Sequence, residues 1–153
     1  MTTLESLLDE EERIQFAHFD HDLAMQIGLE LVSRARADAL AIAIDVSAFG
    51  QCLFHAAMPG ASPDNAAWIR RKINVVHRFG RSSMYMGELC RSRGTTLEEK
   101  YMVDPSEFSP HGGSFPVRLR GSGLVGTVTV SGLPQLDDHR LVVSVLEQVL
   151  SGD

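Results

Sequence analysis

The sequence predicts an α+β domain, and three observations carry that expectation. The strand-like runs arrive as hairpin pairs, the stretches between the pairs repeat their apolar residues with helical period, and one compact region, residues 111 to 135, combines glycines, a hairpin and the start of a helix. In chain order, Thr2 three residues before Glu5 reads as a capping box, and Leu4, Leu7 and Leu8 share one face of a short first helix. Residues 14 to 19 form a weak strand candidate. Asp20 is a good N-cap for a second helix to about Arg36, whose Ala24, Ile27, Gly28, Leu31, Val32 and Ala35 make an apolar stripe. Residues 40 to 46 are nearly all apolar and predict a central strand, which Ala48-Phe49-Gly50 turns into residues 51 to 57 as an antiparallel hairpin.

The next third is helical. Ser62-Pro63 opens a helix with proline in its first turn, and Ala66, Ile69, Ile73 and Val76 run down one face until Gly80, while Arg70, Arg71 and Lys72 lie largely off that line. Ser82 or Ser83 starts another helix through Cys90, ending near Gly94, and Thr96-Leu97-Glu98-Glu99 caps a short one before Asp104-Pro105. In the glycine-rich region, Phe115, Val117 and Leu119 alternate with Pro116, Arg118 and Arg120 as a half-buried strand requires. Gly121-Ser122-Gly123 turns the chain into the apolar and Thr run 124 to 130, and Ser131-Gly132-Leu133-Pro134 breaks it before the last helix, opened by Pro134 or Asp137. The expected order is α-β-α-β-β-α-α-α-β-β-α, with four firm strands and one weak one.

Residues 1–153 fit one domain, since a chain of about 150 residues hides roughly 68–70% of its unfolded surface. Cys52 and Cys90 have no CxxC or zinc spacing, the N-terminus is acidic where a secretory signal is basic and then apolar, and no apolar run approaches the roughly 20 residues of a membrane span. A cytoplasmic protein with reduced thiols and no membrane partner is expected. A net charge of −6 argues against nucleic acid. The charge is also polarised: residues 1 to 22 are acidic, and residues 70 to 93 hold Arg70, Arg71, Lys72, Arg78, Arg81, Arg91 and Arg93 against Glu88. Such runs are ordinarily solvated helix faces; the sharper alternatives are a contact between subunits or a basic surface for an anionic ligand.

Candidate chemistry centres on His111. Beside Gly112 and Gly113, its imidazole could meet a ligand or a metal while the glycine amides face an anionic group. The competing reading is a tight turn at a subunit contact. His18, His21, His55 and His77 lack the i, i+4 pairing of a zinc helix, and Asp137-Asp138-His139 reads first as helix capping. Trp68 reads as a packing anchor and then as an interface residue, and Met84 and Met86 as packing. No GxSxG, Walker loop, dinucleotide GxGxxG or HExxH motif is present, and Cys52, in an apolar strand, reads as inert.

Three segments in order carry a family resemblance: Pro59-Gly60 with Asp64-Asn65 and Trp68 through Lys72; Phe79 with Ser82-Ser83; and His111-Gly112-Gly113-Ser114-Phe115-Pro116 through Gly126-Thr127-Val128 and Val130-Ser131-Gly132-Leu133-Pro134-Gln135 to Asp138-His139. Over nearly the whole chain the sequence resembles the GlcG/HbpS-like family, the heme-degrading domain, in its cytoplasmic branch. The resemblance implies a profilin-like fold, a five-stranded antiparallel sheet with helices on both faces. It also implies a ligand-site role for the His111 loop, with Arg70, Arg71 and Lys72 available to anionic groups. Heme would be non-covalent, because CxxCH is absent. The expected function is therefore an oligomeric cytoplasmic protein that binds itself and a small anionic or planar ligand such as heme. The alternatives are a heme-degrading or other redox enzyme, and a protein-interaction module without a ligand.

Overall fold

The computed structural model describes residues 2–152. Six helices and four strands follow the expected order in the described residues: α1 Leu4–Arg13, α2 His21–Ala37, β1 Ala43–Ala48, β2 Gln51–Ala57, α3 Pro63–Phe79, α4 Ser83–Ser92, α5 Leu97–Tyr101, β3 Ser114–Leu119, β4 Gly123–Ser131 and α6 Gln135–Ser151. The strands form one antiparallel sheet in the order β2-β1-β4-β3. The sheet thus has four strands where five were expected. Residues 14 to 19 contribute a single parallel bridge, with Phe16 N–H donating to Arg118 O at 2.8 Å and Arg120 N–H to Phe16 O at 2.9 Å.

Strand alternation divides the sheet into two unlike faces. Ile44 and Val46 of β1, Val128 and Val130 of β4, and Phe115 and Val117 of β3 are in paired register and face α2 and α6, where Ile27, Leu31, Val142 and Leu146 complete the main core. The opposite face carries Asp45, Ser47, Thr127, Thr129, Ser131 and Ser114, and α3 lies across most of it. Those six are polar, and all but Ser47 are buried. Beyond α3, a second small core of Val75, Met86, Cys90, Leu97 and Val103 joins α3 to α4 and α5.

Two local features depart from the sequence reading. The first cap is Thr3 with Ser6, each side chain bonding the other's backbone N–H, so Thr2 and Glu5 are not the pair. Helix α1 also has a place within its own chain: Leu7 and Glu11 are buried, and the Glu11 carboxylate accepts from Arg118 Nη1 at 3.0 Å, Arg81 Nη1 at 3.4 Å and the Ser82 amide at 3.1 Å. Acidic and basic stretches therefore meet here inside the monomer. Helix α3 begins as expected, with Pro63 in its first turn, and Asn65 Oδ1 accepts the Ser62 amide at 2.9 Å. Gly80 ends it in the left-handed region, φ 67°.

Candidate functional site

A cleft of about 290 Å³ opens between the first half of α3 and the turn leading from β4 into α6. Asp64, Trp68 and Lys72 stand at i, i+4 and i+8 on α3 and form one wall; Ser131, Gly132, Leu133, Gln135 and Asp138 form the other, and His111 stands at the rim. The volume is at the low end of the roughly 300–1,000 Å³ usual for small-molecule sites.

At the floor lies a buried ion pair. Lys72 is 3% exposed, and its Nζ donates to Asp138 Oδ2 at 3.1 Å and to the Val130 carbonyl at 3.2 Å. Asp138 also accepts the Leu133 amide at 3.0 Å and the Gly132 amide at 3.4 Å, so one carboxylate ties α3, the end of β4 and the start of α6 together. Burial pushes the Lys72 ammonium below its usual pKa against the opposing pull of Asp138. Burial likewise raises the Asp138 carboxyl, against Lys72 and the two amides. Asp138 lies in the first turn of α6, as the capping reading expected, but α6 has no side-chain cap hydrogen bond, and the carboxylate instead reaches Lys72 and the Gly132 and Leu133 amides ahead of the helix.

The two glycines exist for close approach. A Cβ on Gly112 would stand 2.3 Å from the Gln135 carbonyl oxygen, and one on Gly113 would stand 2.4 Å from the Val130 oxygen and 2.8 Å from Lys72 Nζ. Gly113 also has φ 138°, which side-chain-bearing residues rarely adopt. The Gly112 amide is occupied, donating to Gln135 Oε1 at 3.0 Å, so it does not face an open anion site.

His111 is exposed at the cleft mouth, its ring edge-on to Trp68 with 5.4 Å between centroids. Its Nδ1 lies 2.8 Å from Ser109 Oγ, and Nε2 has no hydrogen bond among the described residues. Desolvation first, then the charges of Lys72, Arg91 and Arg71, hold the imidazole below its usual pKa of about 6.5 and so favour its neutral form. Arg71 stacks 4.6 Å over Trp68, donates from Nη2 to the Pro105 carbonyl at 2.8 Å, and keeps a buried Nε without an acceptor among the described residues. Arg70 is exposed and does not line the cleft. The structure therefore brings His111, Gly113 and Lys72 together, leaves Arg71 at the margin and sets Arg70 apart. Trp68, Asp64 and Gln135 were not singled out as site residues, although the 64-68-72 spacing was the signal that could have found two of them.

Heme can be tested against this donor set. An imidazole with one nitrogen oriented by Ser109 and the other unbonded among the described residues suits a metal-ligating position, and Arg71, over Trp68, is the arginine at the cleft margin that suits a peripheral carboxylate. The residues fit at the mouth, while the neutralised Lys72–Asp138 floor offers no free charge.

Fold and cleft together define an α+β domain with a small polar cleft at one end of its sheet. Residues 19–147 match the family model described as "Haem degrading protein HbpS-like", and the chain belongs to that HbpS-like family. A UPF0303 protein of Streptomyces coelicolor is 50% identical over 148 residues, covering 97% of this chain and 94% of its own. A UPF0303 protein of Edwardsiella ictaluri is 51% identical over 147 residues, covering 96% and 94%. Among solved structures, the Ybr137w protein superposes with a TM-score of 0.91 at 35% identity over 99% of this chain and 90% of that one. The PduOC:heme complex superposes at 0.68 with 18% identity over 86% of this chain and 94% of that one, a likeness of fold alone.

Proposed function

We propose that the chain is a small-ligand-binding protein whose ligand is planar with peripheral acid groups, heme being the leading candidate, held non-covalently at the mouth of the cleft. The observation that carries this reading is His111, oriented by Ser109 and edge-on to Trp68, with Nε2 unbonded among the described residues. The family description and the heme complex of the PduOC neighbour support the choice of probe. In this reading His111 would ligate the iron, Trp68 would pack against the macrocycle, and Arg71 at the cleft margin would draw an acid group. Bound heme would supply redox chemistry; the protein's part is to bind, orient and shield it. A cleft of about 290 Å³ takes only part of a macrocycle. A second copy of the chain covering the remainder fits the oligomeric reading. A cytoplasmic setting completes it.

The test is a hemin titration of the apo-protein followed in the Soret region, comparing wild type with His111→Ala and checking both folds by circular dichroism. Saturable binding that weakens at least about tenfold in the variant, roughly 1.4 kcal/mol, is expected. No saturable band removes the heme reading. Equal isotherms place any heme away from His111. Where binding holds, adding a reductant separates a carrier, whose Soret band persists, from a heme-degrading enzyme, whose band is lost.

A further inference from the structure

Away from the cleft, on the part of the polar sheet face nearest β2, three unlike donors converge: the Asp45 carboxylate on β1 and the Cys52 thiol and His55 imidazole on β2, all with ligand atoms within 4.8 Å of one another. Regular alternation would send residues 52 and 55 to opposite faces of the sheet. The register of β1 against β2 explains why it does not. Asp45 pairs with His55 and Val46 with Phe54, but Ser47 pairs with Cys52, so an irregularity after Val46 leaves Leu53 without a partner in the register. The extra residue turns Cys52 onto the side of the sheet already occupied by Asp45 and His55. Re-aiming a side chain in this way is a recognised use of a β-bulge.

The geometry points to a divalent-cation site of the zinc type formed by Asp45, Cys52 and His55. Zinc bonds of about 2.3 Å to sulfur, 2.0–2.1 Å to imidazole and 2.0–2.2 Å to carboxylate put tetrahedral ligand pairs about 3.4 Å apart for N and O and about 3.6 Å apart for S and O. Asp45 Oδ2 lies 3.4 Å from His55 Nδ1 and 3.5 Å from Cys52 Sγ. The other carboxylate oxygen, Oδ1, accepts from Ser47 Oγ at 2.6 Å, the kind of outer contact that fixes a ligating carboxylate. A thiolate with an imidazole selects zinc, cobalt or copper over magnesium and calcium, which take oxygen donors. Cys52 and His55 are exposed, so a cation has an entry path. Cys52 and Ser47 also line a cavity of about 300 Å³ shared with Gln51 and His77 of α3. Three protein ligands beside such a cavity describe an open site with room for solvent or a small ligand in the fourth position.

The probe is cobalt(II), titrated into chelator-stripped protein under reducing conditions and read by absorption, with zinc as competitor. One equivalent should produce a near-ultraviolet thiolate-to-cobalt band together with visible bands of four-coordinate cobalt, both displaced by zinc. Cys52→Ser should abolish the near-ultraviolet band, and His55→Ala should weaken binding at least tenfold. Cys90→Ser, altering the buried thiol, should behave as wild type. Cys52 and His55 are exposed, so these variants retain the fold, which circular dichroism checks. The proposal is overturned if no saturable cobalt spectrum forms, or if Cys52→Ser keeps the thiolate band. Hydrogen bonding alone would then account for the trio. Because His111 takes no part, failure here and failure of the heme titration are separate results.

Discussion

Replacing Lys72 with methionine keeps the length of the side chain and removes its charge, leaving Asp138 buried with no cation beside it. Removing one partner of a buried pair typically costs about 3–5 kcal/mol. The lower end applies, about 3 kcal/mol, because Asp138 keeps the Leu133 and Gly132 amides as donors. With a urea m-value of about 2 kcal/mol/M, the unfolding midpoint should fall by about 1.5 M at neutral pH. The deficit should also depend on pH. Without Lys72 the folded-state pKa of Asp138, already raised by burial, loses its main opposing charge. A raised folded pKa contributes stability fully present below the unfolded value of about 3.9 and lost as pH rises through the folded value. The variant should therefore approach wild type in acid and fall away toward neutrality. Adding Asp138→Asn removes the stranded charge while keeping an acceptor for the amides, and should bring the double variant within about 1 kcal/mol of wild type. The assay is urea unfolding of wild type, both single variants and the double variant. A Lys72→Met cost below about 1 kcal/mol, or no recovery in the double variant, would refute the assignment of this pair as the fastening between α3 and α6.

Glu11→Ala should cost about 2–3 kcal/mol, below the full buried-pair figure because Arg81 and Arg118 keep some solvent. Amide exchange in α1 should speed up well beyond that in the sheet, and unchanged protection of α1 would show that Leu7 alone holds it. His111 has a folded pKa below its unfolded value, so its contribution is present above about pH 6.5 and is lost as pH falls through the folded value. His111→Gln should consequently flatten the decline in melting temperature between pH 7 and pH 5, and parallel curves for the two proteins would contradict the depressed pKa.

The element order was legible because helical and strand periods in this chain rarely conflict. The exception is instructive. Phe16 and Phe19 look like part of an apolar strand, yet both are buried as an edge-to-face pair 5.4 Å apart, so packing and not ladder pairing accounts for their apolar character. The His111 loop could be seen in sequence because paired glycines mark close approach, but what they approach could not. Lys72 and Asp138 are 66 residues apart, and nothing local in either segment pairs them. The Asp45, Cys52 and His55 trio was hidden more thoroughly, since strand alternation puts residues 52 and 55 on opposite faces and only the irregular register reverses it.

What sequence did hold was the alternation of polar residues inside β1 and β4: Asp45 and Ser47 among Ile44, Val46 and Ala48, and Thr127, Thr129 and Ser131 among Val128 and Val130. On a one-sided sheet that pattern marks the solvent face, but α3 covers most of it, and these residues other than Ser47 are buried. Buried polar groups must find partners, and the Thr127 hydroxyl finds none among the described residues. An apolar face would join α3 to the sheet at lower cost if joining were all that was needed. Both the cleft at one end of this face and the donor trio near β2 draw on its polar residues, Ser131 in the first and Asp45 with Ser47 in the second. Ser114 and Thr129 bond one another, so it is Asp45, Ser47 and Ser131 whose polarity beneath a helix the cleft and the proposed cation trio would account for, and joining α3 to the sheet would not.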